Sequence, residues 1–224
     1  MKKRMYSAFL VMLAMLCSQQ VLAGSFSSTY SNMADDRKAG QEPTILLQEM
    51  FDKGKGDFYV EGEKGYSNDI WMSRDDHIEG TSYFKYSGGN MESYFVSKEF
   101  SLGLSENYAS FDHTGLYFNY DFENRCSMVA RIVGENEWYP LEGLVSPTDM
   151  SSGIFENTGD LVIPERFNGK RVQIAFRLTA TSSYNDGIWM FNNLIVKTYG
   201  EMPEIKNEAG LSFAPSELTM NRLG

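Results

Sequence analysis

The alternation of apolar and polar residues is the most regular pattern in the chain. It runs without interruption through residues 171–178 and 116–122, where the apolar positions are Val172, Ile174, Phe176 and Leu178, and Leu116, Phe118, Tyr120 and Phe122. Successive side chains of a strand point to opposite faces of a sheet. The period of two therefore predicts two strands that are each buried on one face and solvated on the other.

Shorter runs of the same character divide the region between residues 44 and 200. We predict further strands at 44–51, 57–61, 81–86, 93–102, 127–133, 137–141 and 159–163. Segments rich in Gly and Asn, which are typical of turns, separate these runs. Since no stretch of a dozen residues carries a helical stripe, the pattern predicts an all-β sandwich or barrel.

The last predicted strand changes its phase in the middle. Trp189 and Phe191 share one parity, whereas Leu194 and Val196 share the other. A β-bulge at Asn192-Asn193 would bring all four apolar side chains to one face. The alternative is a strand that is covered on both sides, and either arrangement makes the strand central to the core.

The first 23 residues have the composition of a targeting segment. Basic residues at 2–4 precede an apolar stretch at 8–16, and we expect a signal peptide at 1–23 that is cleaved before Gly24. Lipidation of Cys17 is the alternative. Both readings place the mature chain outside the cytoplasm, as a secreted or cell-surface protein.

The segments on either side of the predicted β domain differ from it in composition. Residues 24–43 are rich in Ser, Asn and Asp, which predicts a flexible linker before a domain at 44–200. Residues 201–224 begin as a polar connector. The run LSFAPSELT at 211–219 then resembles the opening strand of a bacterial immunoglobulin-like repeat, and an ordinary disordered terminus is the alternative.

Charge and composition exclude several classes of protein. Thirty acidic residues against twenty basic ones give a net charge of −10, which argues against nucleic-acid binding, because that affinity comes from clustered Lys and Arg. Past the targeting segment, no apolar stretch approaches the 18 or so residues that span a bilayer. We also find no motif of a nucleophile elbow, a P-loop or a zinc site, so we expect no enzymatic activity.

Four segments resemble one family in the right order and spacing. They are LQEMFD at 47–52, ESYFVSKEFSL at 92–102, FNGKRVQIAFR at 167–177 and IWMFNNLIV at 188–196. These segments are similar to the corresponding strands of choice-of-anchor J and cleaved-adhesin domains, which are related to MAM domains. Two positions depart from the family pattern, because Lys98 stands where a Pro is usual and Asn192 where an Asp is usual.

The resemblance implies a fold and a function. The family is a jelly-roll β-sandwich of two antiparallel sheets, found in exported and surface proteins of bacteria, and its members are mostly adhesion or carbohydrate-binding-like modules. We therefore expect a secreted, non-catalytic module of a larger surface protein that binds a glycan or a cell-surface protein. The alternatives are an architectural spacer without a ligand and, third, a polysaccharide-active hydrolase.

The resemblance also implies a structural calcium ion between the first and last strands. Glu49 and Asp52 could supply carboxylates and Asn192 a neutral carbonyl oxygen. Calcium takes six to eight oxygen ligands, so these residues need backbone carbonyls as well. That Glu49 and Asp52 are simply solvated is an equal alternative, and we interpret the Asp75-Asp76-His77 cluster as a plain loop.

Aromatic residues near turns are the candidates for glycan binding, because sugar rings stack on exposed aromatic faces. The candidates are Trp138, Tyr139, Trp71 and Tyr86, and Tyr83 and Trp189 have similar surroundings. For Trp71 and Trp189 we favour a place in the core. Trp138 and Tyr139 are neighbours in a strand, so we expect one of the two to face outward.

Overall fold

The residues that the structure describes fold almost entirely into β-strands. The computed structural model describes residues 41–63, 70–81, 91–118, 121–180 and 187–204. Within these ranges the strands are β1 (Thr44–Glu49), β2 (Tyr59–Gly62), β3 (Trp71–Ser73), β4 (Ile78–Thr81), β5 (Met91–Val96), β6 (Phe100–Ser101), β7 (Asn107–Leu116), β8 (Cys126–Ile132), β9 (Tyr139–Pro140), β10 (Glu156–Asn157), β11 (Leu161–Val162), β12 (Arg171–Ala180) and β13 (Ile188–Thr198). A short helix, α1 (Phe122–Arg125), precedes β8, and a 3-10 turn spans Glu165–Phe167.

These strands form two antiparallel sheets. The first sheet has the order β10-β7-β13-β4-β3, with β1 also paired to β13 and β11 to β7. The second sheet has the order β2-β5-β12-β8-β9, with β6 also paired to β12. Most neighbours within a sheet are distant in sequence, so the order of the strands is set by tertiary packing rather than by hairpins.

Apolar side chains of both sheets meet in one continuous core. Phe176 of β12 stacks on Phe191 of β13, with ring centroids 3.6 Å apart and an interplanar angle of 9°. Trp189 packs edge-on against Phe176 at 5.4 Å. Because β12 and β13 belong to different sheets, the sheets face each other across these rings. The predicted all-β fold, a jelly-roll β-sandwich of two antiparallel sheets, is confirmed.

Two predictions about register are confirmed. In β12 the residues of the apolar parity, Val172, Ile174, Phe176 and Leu178, are fully buried. In β13 the pairing with β7 shifts between Asn192 and Ile195, and Trp189, Phe191, Leu194 and Val196 are all fully buried. The bulge has therefore reset the register in the predicted place.

The strand predicted at 116–122 is wrong. Strand β7 ends at Leu116, Tyr117 has a positive φ of 64°, and Phe122 begins α1. Phe118 and Phe122 are both buried, and their rings contact each other at 5.2 Å. Two apolar residues that are four positions apart fit one helical turn as well as a strand, so the alternation alone does not distinguish the two.

Some predictions fall on residues outside the described ranges. These are the signal peptide and its cleavage site, nearly all of the linker, all but the first residue of the strand predicted at 81–86, and the tail from residue 205 onward. In the part of the chain that the structure describes, there is no helix with the length and apolar character needed to cross a membrane.

Candidate functional site

The outer face of the second sheet carries a small apolar cluster of its own. Val96 of β5, Ala175 of β12 and Val129 of β8 are paired side by side and are fully or almost fully buried, although they point away from the main core. Tyr94 and Trp138 are half-buried and pack on this cluster. Solvent-facing strand positions are ordinarily polar, so an aromatic pair at this place is a feature that the sandwich itself does not require.

Trp138 is held between other groups on this face. Its ring stacks on Tyr94 with centroids 5.3 Å apart and an interplanar angle of 15°. The guanidinium carbon of Arg131 lies 4.3 Å from the ring centroid of Trp138, which is the geometry of a cation–π contact. The ring orientation is therefore defined by two neighbours from strands β5 and β8.

Arg131 is itself fixed by hydrogen bonds. Its Nη1 and Nη2 donate to the two carboxylate oxygens of Glu61 at 2.8 and 2.6 Å. Its Nε and Nη2 donate to Gln173 Oε1 at 3.1 and 2.9 Å, and Nη2 also contacts the Tyr59 hydroxyl at 3.3 Å. Burial opposes the charge, but the hydrogen bonds and the charge of Glu61 outweigh it and raise the pKa of Arg131.

A groove of about 460 Å³ lies beside the aromatic pair. Its lining consists of Glu92, Tyr94, Glu123, Asn124, Ser127, Val129, Asn136, Trp138, Pro140 and Arg177. Aromatic rings, amides, a hydroxyl and charged groups thus converge on one concave surface. This mixture is typical of sites that orient a small polar ligand on an apolar platform.

Two of the charged groups of the groove, Glu92 and Arg177, form an ion pair. Arg177 Nε donates to Glu92 Oε1 at 2.6 Å. Burial raises the pKa of Glu92, but hydrogen bonds with Tyr94 and Arg177 outweigh it, so the pKa of this carboxyl lies below its ordinary value. Burial and the same carboxylate raise the pKa of Tyr94. At neutral pH Glu92 is therefore a carboxylate and Tyr94 a neutral phenol.

The structure distinguishes the two members of the Trp138-Tyr139 pair. Trp138 lies on the outer face and lines the groove, whereas Tyr139 packs against the main core and contacts Phe167 at 6.1 Å. The guanidinium carbon of Arg166 lies 3.4 Å from the ring centroid of Tyr139. The Tyr139 hydroxyl donates a hydrogen bond to the Glu137 carboxylate. Tyr139 therefore does not contribute to the groove.

The remaining aromatic candidates are not part of this site. Trp71 is fully buried, and its indole nitrogen donates to Ser93 Oγ at 2.8 Å. Its assignment as a ligand-binding residue is wrong because no ring surface is open to a sugar, and the favoured core position is the correct one. Trp189 is likewise in the core. Tyr83 and Tyr86 lie outside the described residues.

The predicted calcium ligands are only partly suited to a metal. Asn192 Oδ1 is a buried oxygen without a hydrogen-bond donor, while Asn192 Nδ2 donates to the Asp76 carbonyl at 3.1 Å. Glu49 Oε1 already accepts a bond from the backbone amide of Phe51 at 3.2 Å. Across the described ranges, no three side chains of His, Cys, Asp or Glu gather as a metal site would require. Calcium at Glu49, Asp52 and Asn192 stays a prediction.

Comparison with known proteins identifies structural neighbours but no family. The chain matches no family model and no curated protein sequence. It is similar to the K3 cleaved adhesin domain of Lys-gingipain from Porphyromonas gingivalis, with 15% identity and a TM-score of 0.45 over 70% of this chain and 99% of that one.

Two further neighbours are carbohydrate-related. A variant of the family 29 carbohydrate-binding module CBM29-2, complexed with cellulohexaose, has 12% identity and a TM-score of 0.45 over 71% of this chain and 93% of that one. Xylanase10C from Cellvibrio japonicus has 10% identity and a TM-score of 0.41, over 69% of this chain and 28% of that one. Membership of the choice-of-anchor J group stays a prediction.

Proposed function

We propose that this chain is a non-catalytic binding module that holds a glycan in the groove on the outer face of the second sheet. The observation that carries the proposal is the stacked pair of Tyr94 and Trp138, placed on a solvent-facing sheet surface and bordered by amides, a hydroxyl and charged groups. Pyranose rings bind proteins through such a combination of a flat apolar surface and hydrogen-bonding groups around it.

The charge state of the groove supports binding rather than hydrolysis. A glycoside hydrolase needs a carboxylic acid that stays protonated beside a second carboxylate. Here the pKa of Glu92 is lowered by its contacts with Tyr94 and Arg177. Glu92 therefore lacks the surroundings of a general acid.

The aromatic pair also argues against a pure spacer. A spacer needs a stable fold, and the core inside the sandwich provides it without Tyr94 or Trp138.

The export of the module, as a secreted or cell-surface protein, rests on the composition of residues 1–23. Its place within a larger surface protein rests on the family resemblance. A cell-surface protein as the partner is the second candidate, and the same groove would be the contact.

Affinity electrophoresis of the full chain tests the proposal. Native gels containing hydroxyethylcellulose, xylan or galactomannan would be run with calcium and with a chelator. We expect retardation in at least one polysaccharide. Replacing Tyr94 or Trp138 with Ala should weaken that binding roughly five- to tenfold, since a stacking contact contributes about 1 kcal/mol or more.

Tyr108→Ala is the matched control for these variants. Tyr108 is a half-buried tyrosine on β7, in the first sheet, where it contacts Tyr199 at 6.0 Å. This variant should bind as the wild type does. Unchanged binding by both groove variants would place the ligand elsewhere, and no retardation in any polysaccharide would favour the spacer. A dependence of the melting temperature on calcium would support the metal prediction.

A further inference from the structure

We infer that Arg131 is a positioning residue that fixes Trp138 against Tyr94 and so keeps the glycan platform assembled before the ligand arrives. This inference rests on the proposed function and adds the residue that maintains its site. Arg131 does not line the groove, whereas Trp138 and Tyr94 do.

The contacts of Arg131 join distant strands. Arg131 lies on β8 and Glu61 on β2, and the strands β12 and β5 separate them in the second sheet. The side chain therefore reaches across the outer face to form its paired hydrogen bonds with Glu61. A planar guanidinium suits this geometry, because its fork matches a carboxylate while its face remains available for an aromatic ring.

The hydrogen-bond inventory indicates support rather than direct ligand binding. All three nitrogens of Arg131 donate to protein groups, and the acceptors are Glu61, Gln173 and Tyr59. Gln173 and Tyr59 are in turn bonded to each other, through Gln173 Nε2 and the Tyr59 hydroxyl at 2.8 Å. The cation over Trp138 is thus held by a closed network whose members lie outside the groove.

Preorganisation is the physical benefit of this arrangement. Without these contacts, a tryptophan beside a short edge strand would sample several rotamers, and a ligand would bear the entropy cost of fixing one of them. Trp138 directly precedes the two-residue strand β9, so the backbone alone restrains it little. The contacts with Arg131 and Tyr94 fix the ring in advance.

Acrylamide quenching of tryptophan fluorescence tests the inference without a ligand. Of the three tryptophans, Trp71 and Trp189 are fully buried, so Trp138 dominates the accessible emission. Arg131→Ala removes the group that covers the ring, and we expect the quenching constant to rise roughly twofold. Arg131→Lys should be intermediate, because lysine keeps the charge but lacks the planar fork.

Arg171→Ala is the matched control for these two variants. Arg171 lies on β12 of the same sheet, and its ion pair is with Glu99 at 2.8 Å. This variant should leave quenching unchanged. Far-UV circular dichroism and melting temperatures identify any variant that has lost its fold. If folded Arg131→Ala and Arg131→Lys both quench as the wild type does, the inference is overturned.

The polysaccharide gels then test the effect on binding. In hydroxyethylcellulose, xylan or galactomannan, whichever retards the wild type, we expect Arg131→Ala to bind roughly threefold or more weakly, as loss of a cation–π contact implies. Binding equal to the wild type, despite increased quenching, would overturn the positioning role. If the wild type binds none of the three, the proposed function fails, and the positioning role for a glycan fails with it.

Discussion

Single residues in this sandwich acquire unusual properties from burial, and His113 on β7 is the strongest example. Its ring lies against Phe111 and Phe122, with centroid distances of 5.4 and 5.7 Å, and its Nδ1 is buried without a hydrogen-bond partner. Burial lowers the pKa of His113 to about 4, although the charges of Glu156 and Asp112 oppose the change. The imidazole is therefore neutral at pH 7.

This environment predicts a loss of stability in acid. Between pH 6.5 and 4 the unfolded chain binds a proton at His113 that the folded chain does not, so the free energy of unfolding falls as the pH falls. Relative to pH 7, the loss from this group at pH 4.5 is about 2–3 kcal/mol. Urea unfolding at pH 7 and at pH 4.5 measures this loss of unfolding free energy.

Two substitutions test whether the loss of stability in acid comes from His113. His113→Leu should reduce the difference in unfolding free energy between pH 7 and 4.5 by that amount. His77→Gln is the matched control, because His77 lies in a loop beside Asp76 at 2.7 Å, and it should keep the His113 contribution. An unchanged acid dependence in His113→Leu would contradict a neutral, buried imidazole.

At the residue scale the sequence predicts part of the candidate site. The pattern predicts Trp138 as a site residue because it follows a turn and neighbours another aromatic residue. The pattern does not indicate Tyr94 or Arg131 as site residues, since their importance comes from partners that are remote along the chain. Arg131 and Glu61 are 70 residues apart, and no local pattern places β2 and β8 in the same sheet.

Among the strands, β13 shows how much parity alone can predict. The change of phase between Phe191 and Leu194 required an extra residue, and the structure has the bulge at that point. Asn193 adopts a positive φ of 51°, and its Nδ2 donates to Asp112 Oδ2 at 2.6 Å. Asn tolerates the left-handed conformation better than most residues do, which explains why the bulge forms here.

The bulge predicts that two substitutions of Asn193 lower the stability by different amounts. Asn193→Ala should cost about 1–2 kcal/mol, because it combines the left-handed strain with loss of the bond to Asp112. Asn193→Gly loses the same bond but adopts the positive φ readily, so it should cost less. Urea unfolding of both variants decides the matter. A larger loss for Gly than for Ala would contradict the left-handed backbone at Asn193.

Strand β7 shows where the period-two pattern is not sufficient. It is a ten-residue strand between β13 and the short strands β10 and β11, yet the period-two pattern predicts a strand only from residue 116 onward. Its buried positions include Asn107, His113 and Thr114 as well as Ala109 and Phe111. Small and polar residues on the inner face remove the hydrophobic contrast on which the prediction depends.

For the described sandwich as a whole, the first strand begins and the last strand ends at a distance from the candidate site along the sheets. Thr44 at the start of β1 pairs with Thr198 at the end of β13, so the described strands begin and end side by side. Tyr94 and Arg177 pair in the half of β12 that ends at Ala180. Ala180 is followed closely in sequence by Ile188, which begins β13 at the end of that strand opposite to Thr198. The described strands therefore begin and end away from the groove.

The extent of the folding unit can be tested by truncation at the last strand. Thr198 is fully buried and donates to the Ser105 carbonyl at 2.8 Å, and the amide of Leu104 donates to the Glu201 carbonyl at 2.7 Å. A chain of residues 42–204 keeps both contacts, and its melting temperature should lie within a few degrees of the full chain.

A chain of residues 42–196 is the matched comparison. It removes Lys197 and Thr198, which pair with both β1 and β7, and with them the buried hydroxyl of Thr198. Loss of these contacts should lower the melting temperature by roughly 5–10 °C or abolish the cooperative transition. Circular dichroism melts of the two chains provide the measurement. Equal melting temperatures would mean that residues 197–204 are not needed for the folded sandwich. A collapse of the 42–204 chain would show instead that residues 205–224 belong to the folding unit, and the predicted domain boundary near residue 200 would then be wrong.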